Sequence, residues 1–201
     1  MSGLPKSTMM KKQIPKSAIY KKYGMDSKAR EKFDNDISRI YIVNEVSTRT
    51  MIIERGLEID SFFVVQIMLK NKKYDESNII KITKLINQNM IFELRYEDKK
   101  SFAVYRGKLI TSDWRDDESE PMKIQGLTLD EVWKQLIIQI GDIHVEPQNT
   151  LDEQIQVNDM KEKILANIKS LDRKARSERQ PRKKFEMVEK INELKKELGE
   201  L

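Results

Sequence analysis

Ser61-Phe62-Phe63-Val64-Val65-Gln66-Ile67-Met68-Leu69 is the stretch whose reading decides the fold. Apart from Ser61 and Gln66 it is apolar throughout, and it is rich in aromatic and β-branched side chains. That composition suits a central strand buried on both faces. Such a strand needs neighbours in its own plane and helices on either side. The fold class predicted is α/β (α+β), a mixed β-sheet flanked by helices.

The flanking segments extend this reading. Toward the N-terminus, Ile40 and Ile42 face one side of a second strand, with Tyr41 and Val43 on the other. Met51-Ile52-Ile53 is a further candidate strand. A helix starts after Gly24 with Asp26 or Ser27 as its N-cap, and Ala29, Phe33, Ile37 and Ile40 recur at helical spacing. Toward the C-terminus, Asp75 to Asn87 reads as helix, with Ile79, Ile82, Leu85 and Ile86 inward. Met90–Tyr96 and Ser101–Arg106 form a hairpin across a polar turn, with Leu109–Trp114 as a possible third strand. Thr128-Leu129-Asp130-Glu131 is a capping box. It opens a helix to about Ile140, with Val132, Trp133, Leu136 and Ile137 on its apolar side and Gly141 as C-cap. The domain predicted spans residues 26–143. Residues 1–25, lysine-rich and interrupted by Pro5 and Pro15, read as a basic arm that Ile14, Ala18, Ile19 and Tyr20 could pin to the body.

Residues 144–150, containing Pro147, read as a linker. Beyond it the strand signal ends. Residues 151–201 read as an antiparallel helical hairpin, with Ile164, Ile168, Leu171, Leu194 and Leu198 as candidates for packing or partner docking. A basic elbow joins the two helices. Lys174, Arg176, Arg179, Arg182, Lys183 and Lys184 lie there, and only Asp172 and Glu178 oppose them locally. Phosphate contact by these residues would add salt-dependent, sequence-independent affinity. Basic residues on a hairpin also serve solubility alone, and the spacing does not separate the two readings.

Composition narrows the function classes. The formal net charge is +5 in 201 residues, with 35% charged. A mildly basic balance suits contact with a polyanion without requiring it. The absence of cysteine excludes disulfides, zinc–thiolate sites and thiol catalysis. The one histidine, His144, falls in the linker, a poor place for a triad base or a metal ligand. No apolar run reaches the ~20 residues of a membrane span, and the N-terminus lacks a signal peptide's apolar core. A cytoplasmic protein without membrane attachment is expected. The glycines are scattered, with no phosphate-cradling loop. No cofactor and no metal site are expected.

The sharpest enzymatic reading is a metal-dependent nuclease using Asp60, Glu93 and Lys70. Such a site wants acidic residues at adjacent strand ends to hold magnesium, and a lysine nearby to assist the attacking water. Lys70 falls too late in its strand for the usual spacing of acid and lysine.

Several stretches carry a family resemblance. Leu4-Pro5-Lys6-Ser7-Thr8, Ile14-Pro15-Lys16, Phe92 to Glu97, Thr111 to Trp114, Arg179 to Glu186 and Leu194 to Leu198 resemble a bacterial domain of unknown function, the family DUF4391. The resemblance covers nearly the whole chain. It implies a small accessory protein encoded beside a superfamily-two helicase and a DNA methyltransferase, in restriction-like defence clusters. It brings no catalytic residues with it. The leading expectation is a non-enzymatic accessory subunit of a DNA-processing complex, with a helicase or methyltransferase subunit as protein partner and nucleic acid as a possible second partner. A metal-dependent nuclease and a stand-alone nucleic-acid binder are the alternatives. The oligomeric state stays open.

Overall fold

Ser61–Leu69 forms β3, and it lies inside the sheet as its composition requires. The structure, a computed structural model, describes residues 4–200. Residues 1–3 of the expected arm and Leu201 of the expected hairpin lie outside the described residues. The chain divides after Asp142 into two compact units.

The first unit is built on a mixed sheet, seven-stranded among the described residues, in the order β1-β2-β3-β4-β5-β6, with β7 also on β5. Its strands are β1 (Met9–Gln13), β2 (Ile37–Ser47), β3, β4 (Asn89–Tyr96), β5 (Lys99–Arg106), β6 (Lys108–Thr111) and β7 (Arg115–Asp116). β3 runs antiparallel to β2 and parallel to β4, and the other neighbours are antiparallel. Helices α1 (Lys16–Lys22), α2 (Ser27–Asp36) and α3 (Glu76–Leu85) supply one side of the core. There Ile19, Phe33, Ile79 and Ile82 join Val65, Ile67 and Leu94 in one buried cluster. Helix α4 (Leu129–Gly141) covers the other face, where Trp133 packs on Phe62 with ring centres 5.3 Å apart. The α+β class follows.

Local chemistry sets the helix ends. Asp26 caps α2 by accepting the Ala29 N–H, and Asp75 caps α3 by accepting the Ser77 N–H. Thr128 accepts the Glu131 N–H to open α4. The Glu131 carboxylate reaches back one residue further than the capping box predicts, to the Leu127 N–H at 2.7 Å.

The N-terminal segment is folded from Lys6 onward: β1 pairs with β2, and Ile14 and Ile19 are buried, pinning the segment to the sheet. Three other readings need correction. Met51–Ile53 forms no strand. Thr50 Oγ1 closes a tight turn on Glu45 and Ser47, and Ile52 beyond it is fully exposed. Ile37 and Ile40 belong to β2, since α2 stops at Asp36 and β-branched residues favour the pleat. Gly141 stays inside α4, and Asp142 takes the left-handed cap at φ 46°.

The second unit holds α5 (Leu151–Ser177) and α6 (Pro181–Glu200), which pack against each other. Thr150 and Glu153 form a complete capping box at the start of α5. Gln154 accepts hydrogen bonds from the Glu146 N–H and the Asn149 side chain, which ties the preceding turn to the helix.

Candidate nucleic-acid interface

β3 separates the residues of the nuclease reading. Asp60 precedes the strand and Lys70 follows it, so nine residues at about 3.3 Å each hold them roughly 30 Å apart. Asp60 is exposed, and its carboxylate accepts the Arg55 Nε–H at 2.6 Å. That bond holds its pKa below the usual carboxylate range. Glu93 sits mid-strand in β4, opposite Gln66. Its carboxylate is fully buried, accepting from Arg95 Nε at 2.6 Å and Gln66 Nε2 at 3.3 Å. Burial opposes its ionisation, yet its pKa lies below the ordinary value, with Arg95 among the groups that hold it there. Arg95 continues to Asp117 at 3.0 Å. This is a charge network spanning β4 and the segment after β7, and such pairing satisfies a buried charge. Among the described residues, no three acidic or histidine side chains gather as metal ligands would. His144 is 87% exposed.

The elbow residues come together. Lys174, Arg176, Arg179, Arg182, Lys183 and Lys184 are all exposed. α5 ends at Ser177, whose hydroxyl donates to the Lys174 carbonyl at 3.0 Å. Glu178 then accepts the Gln180 N–H, and the Gln180 carbonyl accepts the Lys184 N–H as α6 begins at Pro181. Two of the six cations have acidic partners one turn away: Arg176 with Asp172 at 2.8 Å and Arg182 with Glu186 at 3.3 Å. Both pairs are exposed, so each is weak.

The position of these charges on α6 matters more than their number. A helix N-terminus carries positive partial charge and favours acids. α4 and α5 comply, with Asp130 and Glu131, and Asp152 and Glu153, in their first turns, whereas α1 and α2 have no acid there. α6 has no acid in its first turn and carries Arg182, Lys183 and Lys184 instead. All three cations are exposed, and Arg182 pairs with Glu186.

The docking residues have a different fate. Ile164 is buried, and Ile168, Leu171, Leu194 and Leu198 are half-buried, at the spacings of four and three that mark a helix-pairing seam. The outward apolar side chains of the hairpin are Met160, Leu165, Phe185 and Val188. Phe185, just after the basic run, is 62% exposed.

Sequence reading missed one association. Lys72, two residues past Lys70, holds its ammonium 5.9 Å from the centre of the Trp114 ring. The run Lys70-Asn71-Lys72-Lys73 was a visible signal, but the aromatic it meets lies far along the chain.

Over residues 3–198 the chain matches the family model described as Domain of unknown function (DUF4391). The chain belongs to the DUF4391 family. No curated protein and no solved structure matches it. DUF4391 membership therefore places the chain without assigning a function. No helix among the described residues is long and apolar enough to cross a membrane.

Proposed function

We propose that this DUF4391 chain is a non-enzymatic accessory subunit of a bacterial DNA-processing complex, restriction-like or phage-defence in type. In this reading the hairpin docks on a helicase or methyltransferase subunit, and the elbow meets the DNA backbone. The observation that carries it is the cluster of six exposed cations at the elbow, of which only Arg176 and Arg182 have ion-pair partners among the described residues. Phosphate oxygens would meet the cations and the first N–H groups of α6.

The protein-docking half rests on the outward apolar residues Met160, Leu165, Phe185 and Val188. The nuclease alternative loses support because Asp60 and Lys70 lie at opposite ends of one strand. The test is duplex binding by fluorescence anisotropy at low salt, with the intact chain beside Arg179→Ala/Arg182→Ala/Lys183→Ala/Lys184→Ala. The intact chain binds and the variant binds more weakly. Equal binding would assign the elbow to solubility alone.

A further inference from the structure

We propose that the carboxyl-terminal edge of β3 and β4 is a second nucleic-acid site, one for single strands, with Lys70, Lys72 and Lys73 on phosphates and Trp114 stacked on a base. It lies in the first unit and does not rest on the elbow.

The location comes from topology. β3 and β4 are the parallel pair, joined through α3, while β3 runs antiparallel to β2 on its other side. Because the two strands are parallel, their carboxyl ends share one edge of the sheet. β3 ends at Leu69 and β4 at Tyr96, and the loop after β3 opens with Lys70-Asn71-Lys72-Lys73.

All four residues of that loop are exposed. Its base is fixed: the Lys70 N–H donates to the Asp36 carbonyl at 2.8 Å, and the Asn71 side chain donates to the Asn35 carbonyl at 2.9 Å. Three acids nearby have hydrogen-bond partners of their own. Asp36 accepts from the Asp75 N–H and the Asn78 side chain, Asp75 caps α3, and Asp34 accepts from Lys16 and Tyr20. Asp34 is also within electrostatic reach of Lys70. None of the three lysines makes an ion pair among the described residues. The loop thus presents three exposed lysines from a held backbone.

Aromatic surface lies beside it. Trp114, Tyr96 and Tyr74 are half-buried and pack against the same core cluster as Leu94. Lys72 covers the Trp114 ring at 5.9 Å. Stacking of a base on an aromatic ring exceeds an exposed cation–π contact. A base arriving at Trp114 displaces Lys72 and frees its ammonium for the adjoining phosphate. Duplex bases keep their faces stacked, so an indole at the sheet margin reaches only an unpaired base. Lysines that follow a backbone, interleaved with a stacking ring, are the arrangement of single-strand binders.

The test uses the full chain and a dye-labelled oligo(dT), with affinity read by anisotropy across a salt series and tryptophan emission read with unlabelled oligo(dT). Trp133, on the face of α4 that packs on Phe62, is 6% exposed, so an emission change reports Trp114. Binding should quench tryptophan emission. Lys70→Ala/Lys72→Ala/Lys73→Ala should flatten the slope of log affinity against log salt by about two units, at about 0.7 per contact. Trp114→Leu should weaken binding about tenfold with little change in slope. Trp114→Phe keeps the packing and should fall between the two, which covers a failure of the leucine variant to fold. The elbow variant should keep the quench, so this site and the elbow fail separately. Absence of quenching, or a salt slope unchanged in the lysine variant, would overturn the proposal. So would a poly-glutamate peptide that binds as tightly as the oligonucleotide, since the site would then be one for acidic protein.

Discussion

Asp60 and Lys70 flank one strand, the first just before β3 and the second just after it. A rigid element of about 30 Å lies between them, so no motion short of unfolding brings them to one phosphate. Glu93, the third member of the candidate set, is occupied by Arg95 and Gln66. With magnesium or manganese, the purified chain is expected to leave DNA and RNA intact over hours. Divalent-dependent cleavage lost in both Asp60→Ala and Glu93→Ala would reverse that conclusion.

Asp130 locks the long loop before β3 onto α4. Its carboxylate accepts the N–H groups of Leu57 at 2.7 Å and Ile59 at 2.8 Å. Burial opposes its ionisation, but the backbone N–H groups of Ile59, Leu57 and Glu58 outweigh it and the pKa is lowered. A carboxylate with a depressed folded pKa contributes stability that is fully present above its unfolded value near 3.9. That contribution is lost as pH falls through the folded value. Asp130→Asn should lower the melting temperature at pH 7, and the gap from the parent should close below about pH 4. Melting curves at the two pH values decide this, and a gap independent of pH would assign the loss to packing. Gly56→Ala should act in the same direction, because a Cβ there meets the Asp130 carboxylate and the Ile59 carbonyl.

Ile19 tests the attachment of the N-terminal segment. It is fully buried on α1. Ile19→Ala should cost about 2–5 kcal/mol in urea unfolding. A solvated arm would lose less than about 0.5 kcal/mol at the same position.

Much of the fold was legible because its signals are local. The β3 run, the alternation in β2, the β4–β5 hairpin and the apolar face of α4 each sit within one window of sequence. The failures share a cause. Whether Met51–Ile53 pairs depends on the Thr50 turn, and where α2 gives way to β2 depends on the pairing of Ile37 with the distant Leu69. Of the site, the elbow charges were legible as a run. Their conflict with the α6 dipole required knowing that the helix begins at Pro181. The Lys72–Trp114 contact joins two loops and left no local trace.

The α6 dipole makes a prediction of opposite sign for stability and binding. Lys183→Glu and Lys184→Glu place acids where the helix favours them, so each should stabilise the hairpin by about 0.3–1 kcal/mol. The same changes should weaken duplex binding. Thermal melts followed by helical circular dichroism, run beside the binding assay, check both signs. Destabilisation by both substitutions would remove the argument that the cations are kept for function.

The most direct test of the elbow as a DNA contact is the salt dependence of duplex binding. Log affinity is measured against log salt for the intact chain and for Arg179→Ala/Arg182→Ala/Lys183→Ala/Lys184→Ala. If these side chains neutralise phosphates, the slope flattens by about 0.9 per lost contact, and the unfolding midpoint shifts little. An unchanged slope, with unchanged affinity, would contradict the account and leave the elbow a solvated turn.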